Sequence, residues 1–205
     1  MIYDFIIIGG GIVGASTAWQ LLERFPGKKI LVIEKEKLVG QHQTGHNSGV
    51  IHAGVYYELG SLKAQFCKQG LQATLNFCQS NNIKFNQCGK LLVATNSNDM
   101  IRMKELFERC QTNDIKVQWI DGYNLKSLEP NIEGLGAILV KQTGIVDYTE
   151  VTRKMIELFK QLGGYVKLNT EVIALTESHK NVVVEANSQG IRIQILGDYL
   201  ISCSG

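Results

Sequence analysis

The six residues Gly9-Gly10-Gly11-Ile12-Val13-Gly14 constrain this chain more than any other stretch. They follow Tyr3 to Ile8, an apolar run without alternation, the pattern of a parallel strand covered on both faces. They open a segment, Ile12 to Arg24, in which Val13, Ala15, Ala18, Leu21 and Leu22 share a helical face, and Pro26-Gly27 stops it. A second strand, Ile30 to Glu34, completes a βαβ unit. The spacing GxGxxG alone is common in glycine turns, so its meaning comes from this context. Gly9 permits the tight turn, Gly11 puts no Cβ in the path of a pyrophosphate, and Gly14 lets the helix pack close to the strand. The helix N-terminus offers backbone N–H groups and the positive end of its dipole to phosphates, worth about 0.3–1 kcal/mol per charge at exposed sites. Glu34, at the end of the second strand, suits ribose hydroxyls and repels a 2′-phosphate, which argues against NADP. The unit reads as a cradle for the ADP half of a dinucleotide, with Gly9, Gly11, Ile12, Val13, Gly14 and Glu34 around it. The bland alternative is a glycine turn that binds nothing.

Composition narrows the partner. With 44% hydrophobic and 20% charged residues, the 205-residue chain has the makeup of a globular protein of one or two domains. The net charge of +2 is spread along the sequence, so nothing points to nucleic acid or to an anionic membrane surface. A small molecule is the expected partner. No signal peptide or membrane-spanning run is read. The five cysteines form no CxxC or other metal spacing, so no metal site is expected and reduced thiols in the cytoplasm are the default.

Beyond Glu34 no period fits from Lys35 to Gly60, a stretch with five glycines and three histidines. A loop this long in a compact domain is usually functional. Ser61 can cap a following helix whose Phe66, Cys67, Leu71, Leu75 and Cys78 repeat at helical spacing, so these cysteines read as core. Further on, strands are expected at Lys90–Ala94, Val117–Ile120 and Ala137–Val140, and helices at Asn98–Gln111 and Tyr148–Leu162. Five more strands follow, at Tyr165–Leu168, Glu171–Leu175, Asn181–Glu185, Ile191–Ile195 and Tyr199–Ser202.

In an NAD-binding domain the second strand would lead quickly to another helix and strand, whereas this glycine-rich loop suits a cofactor with a long extended body. The run from His42 through Gln43, Thr44, Gly45, His46, Asn47, Ser48, Gly49, Val50, Ile51, His52, Ala53, Gly54 and Val55 to Tyr56-Tyr57, continued by Gly60-Ser61-Leu62-Lys63-Ala64, resembles the L-2-hydroxyglutarate oxidase/dehydrogenase family. That family lies within the D-amino-acid oxidase-like FAD oxidoreductases. Cys88-Gly89-Lys90-Leu91, Gly144 to Tyr148 and Ile201 to Gly205 extend the likeness along essentially the whole chain. Cys203-Ser204-Gly205 stands where many relatives have Ala-Thr-Gly.

The resemblance implies an α/β protein: a Rossmann-like FAD-binding domain with a parallel sheet, plus part of a mixed α+β substrate domain. The expected division is 1–80 for the first part of the FAD-binding domain, 81–148 for part of the substrate domain, and 149–205 for the return to the FAD-binding domain. Enzymes of this likeness continue past the final Ser-Gly, so the chain is expected to be an N-terminal portion, at best a weak FAD binder with little turnover alone. By the same resemblance Glu34 and Lys35 lie near the adenosine, and Gln43, Thr44, Ser48, Gly49 and Val50 line the pyrophosphate and flavin. Val172 meets the adenine through its backbone, and Ser204 and Gly205 belong to the cofactor set.

The implied reaction oxidises L-2-hydroxyglutarate, or a related 2-hydroxy acid, with FAD passing electrons to oxygen or a quinone. Such chemistry needs a base for the hydroxyl proton and donors for two carboxylates. His52 is the candidate base, because imidazole titrates near neutral pH. Tyr56 and Tyr57 are candidate carboxylate donors, and Lys63 or Lys90 could balance the charge. The bland alternatives are a loop histidine bonded to backbone, packed tyrosines and solvated lysines. His46 is as well read as a loop-ordering residue. A cytoplasmic protein is expected, with peripheral association with the inner membrane left open. Two rival functions stand beside this one: an NAD-linked dehydrogenase, and a non-catalytic remnant of the FAD fold.

Overall fold

A computed structural model describes residues 1–205. In chain order its elements are β1 (Ile2–Ile8), α1 (Ile12–Arg24), β2 (Ile30–Ile33), β3 (Val50–Ile51), α2 (Leu62–Ser80), β4 (Phe85–Asn86), β5 (Lys90–Ala94), α3 (Ser97–Thr112) and β6 (Val117–Asp121). There follow α4 (Gly122–Leu128), β7 (Gly136–Val140), β8 (Gly144–Val146), α5 (Tyr148–Gln161), β9 (Tyr165–Lys167), β10 (Thr170–Glu177), β11 (Val182–Ser188) and β12 (Ile191–Ser202). The chain forms two compact units, one of residues 1–47 with 147–205 and one of residues 48–146.

The first unit is built on a six-stranded sheet in the order β10-β11-β12-β1-β2-β9. β12, β1, β2 and β9 run parallel, and β10, β11 and the first half of β12 form an antiparallel meander. One face packs Ile7, Ile30 and Val32 against Ala15, Ala18 and Leu22 of α1 and Ile156 and Phe159 of α5. Ile6, Leu31 and Ile33 pack on the other side with Val182, Val184 and Ile195 of the meander. Cover on both faces is why β1 and β2 are continuously apolar. α5 starts where Asp147 Oδ1 accepts the Thr149 N–H at 2.7 Å, a cap worth about 1 kcal/mol.

The two strands expected at 191–195 and 199–202 are one strand. Gly197 is not a break: a Cβ there would lie 2.7 Å from Ile6 Cδ1, so the glycine lets β12 cross close over β1 as it passes from the meander into the parallel sheet.

The second unit holds an antiparallel sheet, β5-β7-β6, and a small sheet, β3-β8-β4. Ala94, Ile138 and Val140 pack with Met103 and Cys110 of α3. α4, β3, β4 and β8 were not expected; each is too short to show a period, and α4 is marked only by its cap, where Asp121 Oδ1 accepts the Asn124 N–H at 2.8 Å. In α2 the expected apolar face is only half right. Cys78 is buried and Cys67, Leu71 and Leu75 are half-buried, whereas Phe66 is 64% exposed and the buried phenylalanine is Phe77, outside the expected face.

The compact units break at 47/48 and 146/147, away from the 80/81 and 148/149 divisions expected for the domains. The physical reason is the pairing of β3 with β8, Ile51 opposite Gly144, together with the Cys67 thiol of α2 donating to His52 O at 3.3 Å. These tie the loop and α2 to the second unit. No helix is long and apolar enough to cross a membrane.

Candidate cofactor and substrate sites

The glycine turn of the first unit is locked from three sides. Gly9 has φ +104°, and a Cβ on it would lie 2.4 Å from Cys203 O; its N–H donates to Ile33 O at 2.8 Å. At Gly14 a Cβ would fall 1.9 Å from Gly9 O, so α1 can start here only with glycine at that position. The Gly10 N–H donates to Glu34 Oε2 at 2.6 Å, and the Glu36 N–H donates to Glu34 Oε1 at 2.9 Å. Glu34 is buried and holds the turn through these two bonds.

Gly11 is the N-cap of α1 and supplies no side-chain cap. Thr44 supplies one from 32 residues away, its Oγ1 accepting the Ile12 N–H at 2.9 Å. A Cβ on Gly11 would meet only that Oγ1, at 3.3 Å. The α1 N-terminus is thus a cradle with donor groups and little steric cover, which fits a pyrophosphate. Replacing Thr44 by valine should cost about 1 kcal/mol, seen as a lower urea midpoint with an unchanged slope; Thr44→Ser should restore it.

The remaining candidates of this unit sit as follows. Val13 is 61% exposed on the first turn of α1. Lys35 and Gln43 are exposed, and Gln43 O accepts Asn47 Nδ2 at 3.1 Å. Val172 lies at the irregularity in β10, and the start of that strand meets the end of β2 where the Thr170 N–H donates to Glu34 O at 3.0 Å. The Cys203 N–H donates to Ile8 O at 2.8 Å, bringing the segment before Ser204 and Gly205 beside the turn. Burial pushes the Cys203 thiol up, partly opposed by its hydrogen bond with Thr17; it stays a thiol at neutral pH. His46 Nδ1 lies 2.9 Å from His42 O, the loop-ordering contact expected of it.

In the second unit His52, Tyr56 and Tyr57 line one small cleft with Ala53, Gly54, Val55, Lys90, Val140 and Thr143. Lys90 Nζ stands 5.4 Å from the Tyr56 ring centroid, a cation–π contact, and Lys90 is the one lysine or arginine in the lining. Lys63 is exposed on α2 and does not line it. Thr143 had no signal in the sequence; β8 and the turn before it bring it in. The cleft's volume, about 20 Å³, holds about one water molecule and not a five-carbon diacid. Ser48 is exposed. Gly49 (φ +66°) has Val146 O 2.8 Å from where a Cβ would stand and accepts the Val146 N–H at 2.9 Å, while Val50 pairs with Ile145 in the small sheet.

A parallel sheet flanked by helices, a glycine turn after its central strand and a carboxylate ending the next define a dinucleotide-binding α/β protein. The chain belongs to the DAO family of FAD-dependent oxidoreductases, which it matches over residues 4–205. It is 52% identical over 207 residues to L-2-hydroxyglutarate dehydrogenase of Escherichia coli (strain K12), covering 99% of this chain and 47% of that protein. It is 38% identical over 214 residues to the mitochondrial L-2-hydroxyglutarate dehydrogenase of Homo sapiens, covering 99% of this chain and 46% of that protein. The chain spans about half the length of the curated relatives it matches. Among solved structures it resembles dithionite-reduced L-alpha-glycerophosphate oxidase from Mycoplasma pneumoniae with FAD bound, with a TM-score of 0.89, 22% identity, and 100% of this chain and 54% of the other covered. At that identity the likeness is one of fold.

Proposed function

We propose that this chain forms the FAD-binding portion of an oxidoreductase that converts L-2-hydroxyglutarate, or a related 2-hydroxy acid, to the 2-oxo acid, with oxygen or a quinone as the final acceptor. The observation that carries the reading is the α1 N-terminus at Gly11, which has no side-chain cap of its own and sits in a turn whose shape is fixed by the bonds from Gly10 to Glu34 and from Ile12 to Thr44. Gly9, Gly11, Ile12, Val13 and Gly14 would hold the pyrophosphate. Glu34, Lys35 and Val172 would hold the adenosine, with Gln43, Thr44, Ser204 and Gly205 beside them. Ser48, Gly49 and Val50 are assigned to the flavin half, and the division into FAD-binding residues 1–80 and 149–205 with substrate residues 81–148 belongs to the same proposal. FAD, when bound, supplies a two-electron acceptor for the hydride leaving the substrate carbon.

The chain's own part is proton handling and charge reading. His52 and Tyr56 are exposed at the rim of a cleft too small for the substrate, so they would meet it outside that cleft, His52 taking the hydroxyl proton and Tyr56 and Tyr57 donating to a carboxylate whose charge Lys90 balances. A base in this role contributes about 10²–10⁴-fold. In the enzyme that carries this chain, His52→Ala should slow flavin reduction by L-2-hydroxyglutarate by that factor in rapid-mixing measurements; an unchanged rate with unchanged substrate affinity removes His52 from the mechanism. On the chain itself, FAD and not NAD should raise the melting temperature, since a ligand that binds only the folded state stabilises it. Stabilisation by NAD alone would defeat the assignment of FAD.

A further inference from the structure

The loop that carries His52, Tyr56 and Tyr57 lies outside every strand. Residues 52–61 connect β3 to α2, and the turn from Gly54 to Tyr57 is closed by a long bond from the Tyr57 N–H to Gly54 O at 3.2 Å. Gly54 turns the chain at φ +82°, with Cys67 Sγ 3.3 Å and Tyr57 Cδ2 3.5 Å from where a Cβ would stand. With no ladder to share, the carbonyls of such a segment must find their partners on other elements.

Those partners are side chains of α2 and of the end of α3. The Cys67 thiol donates to His52 O at 3.3 Å, the buried Cys110 thiol lies 3.9 Å from Val55 O, and Asn113 Nδ2, at the C-cap of α3, donates to Tyr57 O at 3.0 Å. Thiols are weak donors, whereas an amide N–H at this distance makes an ordinary hydrogen bond. The Asn113 tether is therefore the strong one, and it joins residues 56 apart in the chain. The helix end does not itself call for asparagine at this position. Asn113 has φ −83°, which any residue adopts, and the left-handed residue is the next one, Asp114, at φ +56°. Asp114 Oδ2 takes Lys68 Nζ of α2 at 2.9 Å, an exposed pair of small weight.

We infer that Asn113 is a positioning residue for substrate binding: by holding Tyr57 O it fixes the loop backbone, and with it the places of the Tyr57 hydroxyl and of the Tyr56 ring beside Lys90. This rests on the roles given above to Tyr56, Tyr57 and Lys90. Asn113 is not in the lining of the cleft and acts only through the loop. Donors held in place bind a carboxylate with less ordering cost than donors on a loose loop. Because His52 O is held separately by Cys67, losing the tether shows in substrate affinity and not in the rate of the chemical step.

The test is flavin reduction by L-2-hydroxyglutarate in rapid mixing, in the enzyme that carries this chain, which separates the substrate dissociation constant from the limiting rate. Asn113→Ala should raise the dissociation constant about tenfold, the scale of one net hydrogen bond, and leave the limiting rate within about twofold of the parent's. Amide exchange at Tyr57 should quicken by about tenfold. Asn113→Gln keeps the NH₂ on a longer arm and should restore most of the affinity. Lys68→Ala breaks the neighbouring ion pair at the same helix end and should leave affinity unchanged. In a Tyr56→Phe/Tyr57→Phe background Asn113→Ala should weaken binding no further. An unchanged dissociation constant in Asn113→Ala overturns the inference, as does an effect that persists in that background or one that Lys68→Ala reproduces. A Tyr56→Phe/Tyr57→Phe enzyme that itself binds substrate like the parent refutes the roles of the tyrosines, and the positioning role with them.

Discussion

Gly14→Ala should cost this protein its fold before it costs any chemistry. The new methyl group would be placed 1.9 Å from Gly9 O, and the obstacle is backbone in a turn that cannot yield. Gly9 is itself pressed against Cys203 O, and its N–H is committed to Ile33. Overpacking of side chains costs about 1–3 kcal/mol, and a backbone obstacle belongs at the upper end. For a chain of this length each kcal/mol lowers the melting temperature by about 2–4 °C, so a drop of about 6–12 °C is expected in a thermal scan without cofactor. Gly11→Ala is the control. Its Cβ meets only the Thr44 hydroxyl at 3.3 Å, so its melting temperature should stay close to the parent's while FAD binding is lost. If Gly14→Ala melts with the parent, the close approach of α1 to the turn is not as described.

The same contrast explains what could be read from the sequence. β1, α1 and β2 were legible because a twice-covered strand leaves a continuous apolar run and the glycine turn punctuates it. The compact grouping of residues 48–146 was not, because the pairing of Val50-Ile51 with Gly144-Ile145 involves strands of two and three residues. Gly197 misled in the other direction: a glycine needed for close approach to Ile6 looks, in sequence, like a strand break. At the cleft, His52, Tyr56 and Tyr57 are near neighbours in the chain and kept that proximity. Lys90 and Thr143 arrive from other strands, and periodicity carries no information about such meetings. Of the two cysteines read as core, Cys78 is buried and Cys67 only half-buried, whereas the contact of Cys203 with the glycine turn depends on β12 running beside β1.

Glu34 is where the sequence reading was incomplete in a way that a measurement can separate. Its expected role is to accept hydrogen bonds from ribose hydroxyls. In the structure both carboxylate oxygens already receive backbone N–H groups, from Gly10 at 2.6 Å and Glu36 at 2.9 Å. A carboxylate has about four acceptor sites, so about two remain for a ribose and the two roles are compatible. Glutamine is nearly isosteric, but it offers one acceptor oxygen and turns its amide NH₂ toward one of the two N–H groups. Because Gly10 is buried, a donor left unmatched there costs about 1–3 kcal/mol. Glu34→Gln should therefore lower the melting temperature of the cofactor-free chain by about 2–12 °C, and it should weaken FAD binding further when FAD is titrated. A residue that served only the ribose would show the second effect without the first. A Glu34→Gln chain that melts with the parent but binds FAD poorly would return Glu34 to that single role, and the lock on the glycine turn would then rest on Gly9, Gly14 and Cys203.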